Sequence, residues 1–150
     1  MNDVVNSYDK VKEQINQEGY SVIRPKGYSM WPFIKNEKTV AVIRKFNNNV
    51  ELYDVIFYVR VSGDYVLHRV IDISAEGFTV CGDSQTNTEK VKRERVIGVL
   101  SELINGENVV NIRSKKYLRR VKFWYKHKII RKIFLKLYYY NISRENNKKR

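Results

Sequence analysis

Hydrophobic positions change their period twice along the chain. In residues 3–18, Val4, Val5, Tyr8, Val11 and Ile15 recur near one face of a 3.6-residue repeat and Gly19 follows, which predicts a short N-terminal helix over residues 3–18. From Tyr20 the pattern shortens to β-branched and aromatic runs at residues 20–24, 39–44, 55–61, 65–72, 77–81, 96–103 and 109–112. Turn chemistry separates them in Asn47-Asn48-Asn49, Ser62-Gly63-Asp64, Ala75-Glu76-Gly77 and Asn105-Gly106-Glu107. Ser62-Gly63-Asp64 between two runs predicts a hairpin. Short strands at this spacing imply a mainly β (α+β) fold built on an antiparallel, partly closed scaffold.

Beyond Ser114 the helical period returns. Ile129, Ile130, Ile133, Phe134 and Leu137 share one face, and Lys128, Arg131, Lys132 and Lys136 the other, with Leu135 as the exception. Val121, Trp124 and Tyr125 point in another direction, so a break is expected near residues 126–128 and fraying over residues 144–150. The organisation expected is a body over residues 1–112 and a helical tail over 113–150.

Composition narrows the class. A chain of 150 residues, 43% hydrophobic and 30% charged, suits one domain with a real core. One cysteine and two histidines, His68 and His127, supply neither a disulfide nor a zinc site, so no metal or cofactor is expected. No run of about 18 apolar residues encodes a spanning helix, and the polar, acidic start does not read as a signal peptide. The net charge of +13 is unevenly placed. Residues 113–150 hold 15 of the 29 Lys and Arg and a single acid, Glu145, giving +14, while 14 basic and 15 acidic residues leave the body at −1. The tail's partner is therefore expected to be anionic.

Three segments carry candidate chemistry. In Gly27-Tyr28-Ser29-Met30-Trp31-Pro32-Phe33-Ile34, Pro32 stiffens the turn that bears Ser29, as a nucleophile requires. Alternation places His68 on a strand face with Val66 and Val70, where it is a core imidazole or a base with a pKa near 6.5. Cys81-Gly82-Asp83-Ser84-Gln85-Thr86-Asn87-Thr88-Glu89 reads as a polar loop offering two carboxylates, Asp83 and Glu89, either able to orient a histidine. Cys81 itself reads as a small buried hydrophobe. Asp83, short and fixed by Gly82, is the favoured orienting acid.

In chain order, Gly-x-Ser-Met-x-Pro-Phe, a strand with Leu-His-Arg-Val, and Gly-Asp ahead of Val-Ile-Gly-Val resemble the signal peptidase I superfamily, over residues 22–100. Typical bacterial leader peptidases have a lysine base where this chain has His68, so it is more similar to the endoplasmic-reticulum and archaeal type, which uses Ser, His and an acid. Three departures stand out. Family members usually begin with a membrane-spanning anchor. The asparagine pair that follows Gly-Asp in the eukaryotic-type motif is Ser84-Gln85 here, with Glu89 near the position of a later acid. The basic tail has no counterpart in the well-known members. Self-cleaving repressors are similar in fold, but normally pair serine with lysine and carry a DNA-binding domain.

The resemblance implies a serine endopeptidase with Ser29 as nucleophile and His68 as general base, cutting a leader or signal peptide after small residues. The turn at Gly27, Met30 and Pro32 would supply the oxyanion site, and the peptide would add as a strand beside residues 20–24 or 55–61. Trp124, Lys128, Arg131, Lys132, Phe134 and Lys136 are the tail residues expected to touch an anionic membrane, making the protein peripheral, at the cytoplasmic face. The alternative is a non-catalytic basic module whose tail binds nucleic acid or anionic membrane.

Overall fold

The computed structural model describes residues 8–148. Helix α1 (Tyr8–Glu18) buries Val11 and Ile15 and ends at Gly19, whose φ of 83° is open to glycine and whose amide donates to the Ile15 carbonyl at 3.0 Å. The expected contributions of Val4 and Val5 lie outside the described residues. Eight strands follow: β1 (Tyr20–Ile23), β2 (Val40–Lys45), β3 (Val55–Val59), β4 (Tyr65–Ile73), β5 (Gly77–Cys81), β6 (Thr88–Lys92), β7 (Val96–Asn105) and β8 (Asn108–Asn111). Two helices, α2 (Lys115–Lys126) and α3 (Lys128–Lys148), complete the chain.

All pairings are antiparallel, in the order β1-β2-β7-β3-β4-β5-β6, and the sheet is not closed. Ten-residue β7 organises it: one side pairs with β2, while β3 and then β8 pair along its length. The hairpin at Ser62-Gly63-Asp64 forms as its sequence predicts, with Arg60 and Asp64 bonded at 2.8 Å and Gly63 at φ 92°. That turn fixes the β3–β4 register, with Tyr58 opposite Val66 and Ile56 opposite His68. Ile56, Tyr58, Val70, Phe78, Val80, Val91 and Val96 form a continuous core cluster.

One strand departs from expectation. β6 (Thr88–Lys92, TEKVK) occupies part of the segment that reads as loop, and buries only Val91. An edge strand needs one apolar inward residue and tolerates charge elsewhere, so it leaves little hydrophobic pattern. β3 lies between β7 and β4, with both edges hydrogen-bonded, so it offers no edge to a peptide. Among the described residues β1 pairs with β2 and stands at one end of the strand order.

The chain divides into two compact units, Met1–Ser114 and Lys115–Arg150. Arg113, counted with the tail by charge, belongs to the body: it bonds Asp54 at 2.6 Å, Glu51 at 3.1 Å and the Asn49 carbonyl at 3.1 Å. In the second unit the expected break falls at His127, but α3 continues helical through residues 144–148, where fraying was expected. In α3 the departure is Arg131, placed on the polar face by its spacing. Ile129, Ile130, Ile133, Phe134 and Leu137 are exposed, whereas Leu135 and Arg131 are buried.

Candidate active site

Ser29 sits in a tight turn closed by the Trp31 amide donating to the Tyr28 carbonyl at 3.1 Å, and a helical turn follows as Ile34 donates to Met30 at 2.9 Å. Met30 is buried and anchors the turn to the core. Gly27 has φ 95°, a left-handed conformation that favours glycine, with open space where a Cβ would project. Its amide donates to Asn36 Oδ1 at 2.8 Å, so Gly27 shapes the turn and is not a free oxyanion donor. Among the described residues, the amides of Ser29 and Met30 meet no protein acceptor.

The loop after β5 braces this turn from below. Ser84 donates its amide to the Ser29 carbonyl at 2.9 Å and its hydroxyl to the Tyr28 carbonyl at 2.8 Å. A Cβ on Gly82 would come within 2.8 Å of the Ser29 carbonyl oxygen, so only glycine lets the two backbones meet. Asp83, between them, is fully buried. Both its carboxylate oxygens accept from Arg69, Oδ1 from Nε at 2.7 Å and Oδ2 from Nη2 at 2.6 Å. Arg69 also donates to the Tyr53 carbonyl at 2.9 Å and lies 5.1 Å from the Phe33 ring centre.

Asp83, expected to orient His68, is held in this structure by Arg69. Alternation sends consecutive side chains His68 and Arg69 to opposite faces of β4, and it is Arg69 that takes Asp83. Nδ1 of His68 lies instead 3.3 Å from the Tyr58 hydroxyl, which donates to Glu89 Oε2 at 2.8 Å. Glu89 in turn accepts from the Arg60 fork, at 3.0 and 3.1 Å from Nε and 2.8 Å from Nη2. Register explains the meeting. Tyr58 and His68 are diagonal neighbours on one face of the β3–β4 pair. Val70 opposite Val80, and Val80 opposite Glu89, carry the same face across to β6.

Ser29 and His68 line one cleft of about 230 Å³, walled by Ile23, Met30, Ile34, Phe57 and Leu67. Lys26 and Arg60 also reach it. Among the described residues no hydrogen bond joins Ser29 Oγ to the imidazole. Burial, and secondarily the charge of Arg60, push the His68 pKa down to about 4, so the ring is neutral near pH 7. The Arg60 hydrogen bonds hold the Glu89 carboxyl below its ordinary range, keeping it ionised, and burial with Glu89 beside it pushes the Tyr58 phenol up.

Sequence reasoning missed Tyr58, Arg60 and Arg69. The signal for Tyr58 was present, because the Ser62-Gly63-Asp64 hairpin fixes the register that sets it diagonal to His68. Cys81 is buried, as expected. Of the expected membrane-contacting residues, Lys128, Lys132, Phe134 and Lys136 are exposed, but Trp124 and Arg131 are buried, Arg131 lying 4.5 Å above the Tyr125 ring. No family model, curated protein or solved structure matches the chain.

Asp83→Asn should leave the Arg69 charge buried without its counter-ion and lower stability by about 3–5 kcal/mol in urea unfolding. Asp83→Leu combined with Arg69→Met should recover most of that loss, since it removes both charges. A stable Asp83→Asn protein would show that the pair does not hold the loop.

Proposed function

We propose that the chain is a serine endopeptidase of signal-peptidase type, with Ser29 as nucleophile and His68 as general base. The observation that supports it most is the pairing, in one cleft, of a serine on a braced turn with a buried histidine that stays neutral at working pH. In this reading His68 takes the Ser29 proton as Oγ attacks the scissile carbonyl, then delivers it to the leaving amine. In this reading the amides of Ser29 and Met30, uncommitted within the described residues, bind the oxyanion. In this reading a substrate strand adds beside β1, and a small side chain enters the cleft beside Ile23 and Met30. The substrate class, a leader or signal peptide on a precursor, rests on the motif resemblance.

The second unit suits an anionic membrane surface better than nucleic acid. Ile129, Ile133, Phe134 and Leu137 stand exposed on α3 among Lys128, Lys132 and Lys136. Exposed aliphatic side chains gain by entering an acyl layer, and gain nothing from phosphate contacts alone. No helix among the described residues is long and apolar enough to cross a membrane, so the attachment proposed is peripheral.

Three outcomes test these readings. Ser29→Ala should cut hydrolysis of leader-bearing precursors by at least about a thousandfold with an unchanged circular dichroism spectrum. Undiminished cleavage by that folded variant would falsify the peptidase reading. The base works only unprotonated, so kcat/KM should hold level near neutrality and fall as pH drops through about 4, not through the 6.5 of a free imidazole. Because the folded pKa is depressed, protonation also erodes stability from about 6.5 down to about 4, and circular dichroism at each pH separates the two effects. A rate that climbs beyond about pH 9 with no acid limb would transfer the role of base to a lysine, Lys26 lying in the same cleft. Finally, Ile133→Glu with Leu137→Glu should weaken flotation with anionic liposomes at least about tenfold and leave hydrolysis of a soluble peptide intact. Unchanged flotation, with a gel shift abolished by salt, would favour nucleic acid.

A further inference from the structure

We propose that Tyr58 and Glu89 form a hydrogen-bond relay that fixes the proton of His68 on Nδ1, leaving Nε2 as its only basic nitrogen, so that Tyr58 acts as a positioning residue between imidazole and carboxylate. The catalytic meaning of the relay rests on the peptidase reading, while the tautomer itself does not.

The count of available protons fixes the tautomer. An ionised carboxylate only accepts, and Glu89 is kept ionised by the Arg60 fork at 2.8–3.1 Å. Its Oε2 stands 2.8 Å from the Tyr58 hydroxyl, which therefore spends its single proton there. Towards His68 Nδ1, at 3.3 Å, the phenol oxygen has only a lone pair left to offer. Two lone pairs facing each other would repel, so Nδ1 carries the hydrogen. A neutral imidazole has one such hydrogen, and Nε2 is left bare. When Nε2 takes the Ser29 proton, Nδ1–H keeps its bond to Tyr58, and the Glu89 charge lies one hydroxyl beyond the new imidazolium. The proton then leaves from Nε2 with the amine, which restores the starting state.

Burial makes the arrangement selective. Tyr58 is 1% and His68 4% exposed, so bulk water does not compete for either group. Glu89 and Arg60, by contrast, keep about a third of their side-chain surface in solvent, at 32% and 39%. Substituting Glu89 thus changes the relay without opening the core.

The full-length protein, labelled with 15N-histidine, tests this by long-range 1H–15N correlation at pH 7. Only two histidines contribute, and His127→Gln removes the second set of signals. The wild type should show His68 protonated on Nδ1 and bare on Nε2. Tyr58→Phe keeps the ring and removes the acceptor, so the Nε2–H form should appear. Glu89→Ala frees the Tyr58 proton to donate to Nδ1, so the Nε2–H form should dominate. Each variant's kcat on a cleaved peptide should fall by about a hundredfold or more with KM unchanged, as expected for a base held in the wrong tautomer. A wild-type His68 protonated on Nε2, or a tautomer unaltered in folded Tyr58→Phe and Glu89→Ala, overturns the relay. Should Tyr58→Phe not fold, Glu89→Ala on the partly exposed β6 edge decides alone. A wild type that shows the Nδ1–H tautomer but cleaves no precursor upholds the relay and removes the peptidase reading.

Discussion

Arg69 and Asp83 face each other with both side chains at 0% exposure, and the position of the proposed nucleophile follows from that pairing. The guanidinium comes from the middle of β4, a strand hydrogen-bonded on both sides, and so has little freedom to move. The carboxylate it holds belongs to the loop whose neighbouring residues, Gly82 and Ser84, carry the backbone of Ser29. Phe33, a few residues beyond Ser29, covers the guanidinium from the other side. Two charges so deeply buried are stable only together, so the loop, the strand and the serine turn are tied to one geometry.

The same strand divides its labour between faces. Arg69 on one side fixes the turn, and His68 on the other joins Tyr58, Glu89 and Arg60. Burial favours the uncharged ring, and the nearby Arg60 charge adds to that effect, so the imidazole is kept as a base and not as an acid. The charges of Glu89 and, less strongly, Asp83 work against both, with the Tyr58 hydroxyl standing between Glu89 and the ring. In the proposed mechanism this balance suits a base that is neutral at rest and charged only briefly.

The second unit follows a different logic. The body is near neutral, and the excess charge lies on the two helices, of which α3 leaves several large apolar side chains exposed. In α2, Tyr117, Val121 and Trp124 are buried, as an amphipathic pattern demands. In α3 the strongest stripe in the sequence is the exposed one, and Arg131 and Leu135 are covered instead. Periodicity marks a face that avoids water, but it does not say whether protein or some other apolar phase covers it.

Much of the fold was legible because its signals are local. Gly19 ends α1, the Ser62-Gly63-Asp64 turn makes the β3–β4 hairpin, and seven of the eight strands stand as β-branched runs. β6 was not, since an edge strand with one buried valine carries almost no pattern. In the site, the Ser29 turn and the strand position of His68 could be read from spacing, as could the presence of two carboxylates. Which carboxylate serves the histidine could not. Asp83 and Glu89 are both near His68 in sequence terms, and their assignment depends on which face of β4 each one meets. The sequence by itself determined seven of the eight strands, the β3–β4 hairpin and the separation of charge, all set by neighbours along the chain. Only the tertiary structure decided that Arg69 takes Asp83 and that Tyr58 stands between His68 and Glu89, because those contacts arise where the sheet brings β3, β4 and β6 together.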